Sequence, residues 1–213
     1  MLAPIAIEIV PCLSDNYAYL LVDPSGHTVI VDPSEAEPVL AALERRGLEP
    51  VGIWATHHHH DHVGGVTDLL AHFPRLEVVG SGYDAERKRI PMLTHPVQAD
   101  DPLWFESRRV RLLFVPGHTL GAVAYLCDGA LFSGDTLFAG GCGRMFEGTP
   151  EVMQASLASM RALPPDTRLY CGHEYTVANI RFALEVEPHN RELQTRAAMA
   201  TALRKRGEPT LPS

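Results

Sequence analysis

Apolar and polar positions change period several times along the chain. Residues 5–10 and 17–22 are short runs rich in β-branched and aromatic side chains. The turn residues Asp23-Pro24-Ser25-Gly26 follow, then a third run at 28–31, and the pattern predicts three strands. Residues 38–46 carry apolar side chains at helical spacing and end on Arg45-Arg46-Gly47, a basic last turn before a helix-stopping glycine. Residues 51–55 form an apolar strand running straight into a histidine cluster, and residues 66–73 are a second helix closed by Pro74. A strand is predicted at 77–79, but 81–101 hold no consistent period. The strand pattern resumes at 109–115, 122–127, 130–133 and 169–171. Thr149-Pro150-Glu151 places an N-cap before a first-turn proline and predicts a helix to residue 163. Two further helices, 175–186 and 191–206, flank Pro188-His189-Asn190.

Strands alternating with helices imply sheets covered by helices, an α/β class. The reactive side chains fall where an apolar strand has just ended: His57, His118, Asp135 and His173. Loops at such positions are where a rigid scaffold presents its chemistry.

Composition narrows this picture. A chain of 213 residues buries a full core as one domain, or one domain with an appendage. A net charge of −8 argues against a nucleic-acid surface, although bound cations would alter the local field. The N-terminal stretch Met1-Leu2-Ala3-Pro4-Ile5-Ala6-Ile7-Glu8 lacks the basic head and long apolar region of a secretory leader, and no segment approaches the ~18 apolar residues of a membrane span. Cys12, Cys127, Cys142 and Cys171 are far apart with no C-x-x-C pair, so neither a zinc knuckle nor a disulfide framework is predicted, and a reducing cytoplasm is the simplest expectation.

The chemistry centres on Thr56-His57-His58-His59-His60-Asp61-His62. Imidazole and carboxylate bind zinc, iron or manganese, and alternate residues of an extended segment point the same way, so His57 and His59 converge on one ion. Asp61 and His62 lie beyond a turn and face a neighbouring ion, with Gly64-Gly65 lending the flexibility to enter the next helix. The plain alternative is a solvated histidine-rich loop. Against it, Pro116-Gly117-His118-Thr119, Ser133-Gly134-Asp135-Thr136 and Cys171-Gly172-His173-Glu174 each set one ligand-type residue beside a glycine at a strand end.

The pattern H-x-H-x-D-H followed by a lone His, Asp and His resembles the metallo-β-lactamase fold superfamily. The blocks LSDNYAYLL (13–21), GDTLF (134–138), GCGR (141–144), FEGT (146–149) and CGHEYT (171–176) resemble glyoxalase II, the hydroxyacylglutathione hydrolases, over nearly the whole chain. The resemblance implies a four-layer αββα sandwich with a short C-terminal helical appendage. A catalytic domain would span 1–173 and a substrate-binding region 174–213. It implies His57, His59 and His118 on one metal, Asp61, His62 and His173 on a second, and Asp135 bridging both. His58 and His60 fall at intervening positions, and a register using them loses the spacing to Asp61-His62.

The same resemblance implies two divalent ions, zinc first and iron or manganese as alternatives. A hydroxide between them would hydrolyse S-D-lactoylglutathione to D-lactate and glutathione, with Asp61 and Asp135 as catalytic carboxylates. Arg144, Phe146, Tyr175 and Asn179 match substrate contacts, Phe146 standing where a tyrosine is common. A cytoplasmic monomer with a small-molecule substrate, and neither nucleic-acid nor membrane partner, is expected. Glyoxalase II chains usually continue past the segment matching 207–213, with basic residues in that tail for the glycine carboxylate of glutathione. That leaves either a shortened piece or a short form with a weaker hold on glutathione. Arg204-Lys205-Arg206 is a candidate substitute but reads better as a solvated helix end. Cys142 and Cys171 read as small packing residues, and His27, His72, His95 and His189 as surface or loop residues. The rivals are a persulfide dioxygenase with one iron, which needs no filled second set, and a broader thioesterase, lactonase or β-lactamase. A superfamily nuclease would want a basic groove, and a non-catalytic metal-binding module is the blandest reading.

Overall fold

The computed structural model describes residues 3–213; residues 1 and 2, part of the stretch read for a leader, lie outside the described residues. Strands β1 (Ala6–Cys12), β2 (Asn16–Val22) and β3 (His27–Val31) form an antiparallel meander, with Ile9 opposite Tyr19 and Leu20 opposite Ile30. Helix α1 (Ala36–Arg46) stops at Gly47, whose φ of 60° places it in the left-handed region glycine tolerates. It leads into β4 (Glu49–Trp54), parallel to β3. Helices α2 (His60–Val63) and α3 (Val66–His72) follow, then β5 (Glu77–Ser81), α4 (Gly82–Glu86) and β6 (His95–Val97), completing a six-stranded sheet in the order β1-β2-β3-β4-β5-β6.

The second sheet takes β7 (Leu103–Phe105), β8 (Arg108–Phe114), β9 (Val123–Cys127) and β10 (Ala130–Gly134). A two-stranded ribbon, β11 (Leu137–Phe138) with β12 (Gly141–Cys142), and helix α5 (Pro150–Arg161) come next. Strand β13 (Arg168–Cys171) then adds parallel to β10, giving the order β13-β10-β9-β8-β7. As predicted, Thr149 caps α5, its hydroxyl accepting from the Val152 amide at 3.4 Å. Helices α6 (Thr176–Val186) and α7 (Arg191–Lys205) pack on one another, and Asn190 caps α7 by accepting from Leu193 N at 3.1 Å.

The four layers follow from strands buried on both faces. In β2 every residue is buried, because Tyr17, Tyr19 and Leu21 face the second sheet while Ala18, Leu20 and Val22 face α1 and α3. Between the sheets Trp54 stacks on Tyr125 at 5.1 Å and Phe132 on Tyr170 at 5.3 Å. Truncating such a buried ring costs about 3–5 kcal/mol. A separate cluster of Leu113, Ala124, Leu131 and Leu169 with Met160 seats α5 on the outer face of the second sheet.

Two local expectations change. Residues 81–101, without a readable period, contain α4, little more than one helical turn, and β6, three residues interrupted by Pro96; Ser81 caps α4 by accepting from Asp84 N at 3.2 Å. Gly64 and Gly65 adopt ordinary helical angles, so flexibility is not their role. A Cβ on Gly64 would stand 2.6 Å from Ser34 O, and one on Gly65 would stand 2.6 Å from Glu35 C. The pair is small because α2 crosses the chain entering α1 backbone to backbone.

Candidate active site

All the candidate donors gather at one edge of the sandwich. The β4–α2 segment brings His57, His59, Asp61 and His62; the turns after β8, β10 and β13 bring His118, Asp135 and His173. One donor atom each from His57, His59 and His118 lies within 4.8 Å of the others, and the same holds for Asp61, His62 and His173. His59 Nδ1 is 3.2 Å from His57 Nε2 and 3.0 Å from His118 Nε2. Asp135 stands between the groups, with Oδ1 3.3 Å from His62 Nε2 and Oδ2 3.2 Å from His173 Nε2 and 3.6 Å from His118 Nε2.

The outer ring nitrogens are engaged behind the cluster. His57 Nδ1 meets Thr56 Oγ1 at 3.1 Å, His62 Nδ1 meets Asp32 Oδ2 at 2.9 Å, His118 Nδ1 meets the Arg144 carbonyl at 2.8 Å and His173 Nδ1 meets Asp15 Oδ1 at 2.9 Å. These partners hold each ring through Nδ1 and leave each Nε2 facing inward. His62 Nε2 and Asp135 Oδ1 are buried without a hydrogen-bond partner, a costly arrangement unless a cation completes it. Two orphaned donors among convergent imidazoles and carboxylates fit divalent metal ions.

The charges differ between the two groups. Burial pushes His57, His59 and His118 below the ordinary imidazole range. Burial also opposes charge on His173, but Asp135, Asp61 and Asp15 together carry it up to about 10. His62 rises for the same reason, against burial, beside Asp135 and Asp32. The hydrogen bond from His173 holds Asp61 well below the carboxylate range, and His62 adds to it. The second group therefore tolerates extra positive charge, while the first is a set of neutral imidazoles.

The intervening histidines point elsewhere. His60 is exposed. His58 accepts from the Arg89 guanidinium through Nε2 at 2.6 Å and sets Nδ1 3.6 Å from Asp84 Oδ1. Burial, aided by Arg89, pushes it down to about 4.

A cleft of about 580 Å³ opens over Asp61, His118, Asp135 and His173, and Arg144, Phe146, Tyr175 and Asn179 all line it. Tyr175 stacks on His173 at 4.7 Å with 6° between planes, and Phe146 sets its ring edgewise to His59 and His118. Cys142 lines the same cleft and is exposed, so it is not the packing residue expected; Cys171 is fully buried and is one. Arg204 donates to Glu208 O at 2.8 Å and Arg206 pairs with Glu208 at 2.7 Å, so these two basic residues are engaged within the helix end itself.

Several supporting residues were not apparent from the sequence. Asp32, nearly buried at φ 48°, accepts from Thr56 N at 2.7 Å, Thr56 Oγ1 at 2.6 Å and His62 Nδ1 at 2.9 Å. It follows directly on an apolar strand, the same signal that marked His118 and Asp135. Asn16 donates to Asp61 Oδ2 at 3.2 Å. The sequence set Gly172 beside a ligand and Gly143 in the GCGR block without a reason for either: a Cβ on Gly143 would stand 1.9 Å from Asp135 O, and one on Gly172 would stand 2.3 Å from Asp135 Oδ1.

A two-sheet sandwich with His and Asp donors converging at one edge defines a metal-using enzyme of the metallo-β-lactamase class, and residues 14–173 match the Metallo-beta-lactamase superfamily model. Residues 174–213 match the model for the hydroxyacylglutathione hydrolase C-terminus. The chain is 55% identical over 206 residues to a hydroxyacylglutathione hydrolase of Synechococcus sp. (strain JA-3-3Ab), covering 95% of this chain and 81% of that protein. Among solved structures, the BLEG-1 B3 metallo-β-lactamase superposes with a TM-score of 0.71 at 27% identity, covering 79% of this chain and 91% of that one. TTHA1623 in a di-iron-bound form superposes at 0.63 with 33% identity, covering 79% and 91%. The chain belongs to the hydroxyacylglutathione hydrolase family.

Proposed function

We propose that this chain hydrolyses the thioester S-D-lactoylglutathione to D-lactate and glutathione, using two divalent metal ions. The observation that carries the reading is the pair of convergent donor groups opening into a cleft lined by Arg144, Tyr175 and Asn179. His57, His59 and His118 would hold one ion, Asp61, His62 and His173 the other, and Asp135 would reach both. Zinc is the metal proposed, with iron or manganese acceptable to the same donors. Such ions supply a water acidified toward neutral pH and positive charge where an oxyanion develops.

The chain's own residues do the rest. Asp61 is the carboxylate at the cleft able to orient the attacking water or take its proton. Water oxygen joins the acyl carbon as the C–S bond breaks, and the thiolate leaves with the glutathione half. Arg144 offers a cation to a glutathione carboxylate, Tyr175 and Asn179 offer polar contacts, and Phe146 forms an apolar wall. The working division is a catalytic part, 1–173, and a substrate-binding part, 174–213. Four free cysteines suit the reducing cytoplasm proposed for it, with the chain acting as a monomer. Among the described residues no helix is long and apolar enough to cross a membrane.

The second donor group, as convergent as the first, favours this reading over an enzyme with one iron. One preparation assayed for metal content and for hydrolysis of S-D-lactoylglutathione tests it. About two metals per chain with turnover is the expected result; full loading with no thioester hydrolysis would refute the substrate assignment. Asp135→Ala should lose metal from both groups and slow turnover at least about 100-fold, since it removes a group acting at the reacting centre. Two retained metals with normal turnover would exclude the bridging role.

A further inference from the structure

One buried polar cluster lies beside the donors but outside the cleft. Asp84, fully buried in α4, has an Oδ1 with no hydrogen-bond partner. Arg89 brings Nε to 3.6 Å from that oxygen. Its NH1 donates to Glu147 Oε2 at 3.3 Å, its NH2 donates more closely to Glu147 Oε1, and NH2 also reaches His58 Nε2 at 2.6 Å. Glu147 Oε2 in turn accepts the Leu120 amide at 2.7 Å. One guanidinium–carboxylate pair therefore ties together the histidine run, the segment after α4, the turn carrying His118 and the loop 144–148.

That loop has little else to hold it. It lies outside the helices and strands, and Arg144, Met145 and Phe146 are exposed. Its backbone ties are Phe146 N to His118 O at 3.2 Å, Gly148 N to Gly117 O at 3.0 Å and the Arg144 carbonyl accepting from His118. With few buried apolar contacts, such a loop opens easily unless polar ties restrain it, and a forked Arg–carboxylate pair restrains direction as well as distance.

We propose that Arg89 and Glu147 form a positioning clamp that holds the 144–148 loop, with Arg144 and Phe146, over the cleft to grip the glutathione half of the substrate. The substrate part rests on the thioester reading above; the clamp rests on geometry alone. Neither Arg89 nor Glu147 lines the cleft, so both act through Arg144 and Phe146. His58 enters as the acceptor that steadies the guanidinium, which explains a half-buried histidine between two inward-facing donors.

The test uses the full-length, metal-loaded protein and the variants Glu147→Gln, Arg89→Lys and Arg89→Met. Arg89→Met strips Asp84 of its nearby cation and endangers folding, so Glu147→Gln, with the same shape and an acceptor retained for Leu120, is decisive. Amides 143–149 should exchange hydrogen at least about tenfold faster in Glu147→Gln, while those of α6 and α7 stay unchanged. KM for S-D-lactoylglutathione should rise about five- to tenfold with kcat within about twofold, the signature of lost binding rather than lost chemistry. A short acyl thioester lacking the glutathione half should keep its kcat/KM, metal content should not change, and Arg89→Lys should fall between. Unchanged loop exchange, or equal losses on both thioesters, would overturn the clamp. If the loop loosens as expected but the unmodified enzyme hydrolyses no thioester, the clamp stands while the functional reading and the substrate part of the proposal fall.

Discussion

Asp32 shows how much of the site depends on a single side chain outside the donor set. Its Oδ1 accepts the Thr56 amide and its Oδ2 accepts both the Thr56 hydroxyl and His62 Nδ1. In Asp32→Ala the Thr56 amide, the Thr56 hydroxyl and His62 Nδ1 would all lose their acceptor. His62 would lose its orientation, and metal affinity of the second group should fall about 10–100-fold, the usual loss when a partner behind a ligand is removed. Metal content by emission spectrometry together with turnover checks this; wild-type loading in the presence of competing chelator would exclude the role. His173 carries a second consequence. Its folded value of about 10 lies above the ordinary 6.5. In metal-free protein, the stability it contributes is thus fully present below pH 6.5 and lost as pH rises through 10. Metal uptake must displace that proton, so binding should release protons at pH 8 and strengthen toward pH 10. Metal-free protein should show a melting temperature that declines across the same window, and a flat profile would contradict the assignment.

At the scale of elements, the turn after β13 is where the two family matches meet, between residues 173 and 174. Glu174, directly after His173, accepts from Tyr17 of β2 at 2.8 Å, from Thr210 N at 2.8 Å and from Thr210 Oγ1 at 2.7 Å. The segment following α7 then runs along the edge of β13, where Ser213 O accepts from Leu169 N at 2.8 Å. Glu174→Ala would leave a phenol and an amide without their acceptor, the Thr210 hydroxyl keeping Thr176 Oγ1 at 2.6 Å, and should cost about 2–4 kcal/mol. The urea midpoint should fall with the slope unchanged; a midpoint within error of the wild type would show that the last residues dock without it. The long elements were legible because their periods are complete: α1, α5, α6 and α7 begin and end within two residues of the positions that caps and spacing predict. Helix α4 and strand β6 were not, because five residues make little more than one helical turn and Pro96 interrupts the three residues of β6. Strand β2 was read from composition alone, since burial on both faces erases alternation.

The whole molecule presents its donors from both sheets. His57, His59, Asp61 and His62 belong to the chain leaving β4 of the first sheet, whereas His118, Asp135 and His173 leave strands of the second. Metal ions at these donors would cross-link the sandwich at one edge. Removing them with a chelator should therefore lower thermal stability, by about 4 kcal/mol when free metal had stood at a thousand times its dissociation constant. Calorimetry before and after chelation, with recovery on adding zinc back, checks this, and an unchanged melting temperature would show that the edge is held by protein contacts alone.

By itself the sequence picked out the side chains that the fold brings together as candidate donors, and the order in which they appear. Those signals are local: an apolar strand, a glycine, then a ligand-type residue. Alternation in an extended segment paired His57 with His59 and His58 with His60, and the choice of the first pair came from the resemblance, through its spacing to Asp61-His62. Only the tertiary structure decided what stands behind them. Asp15, Asn16, Asp32 and Arg144 reach donors far along the chain, and Gly143 and Gly172 are small because Asp135 passes within touching distance. The link from Arg89 to Glu147 and His58 belongs to the same class. Such contacts form between segments with no common period, and they exist only once both sheets have closed on their shared core.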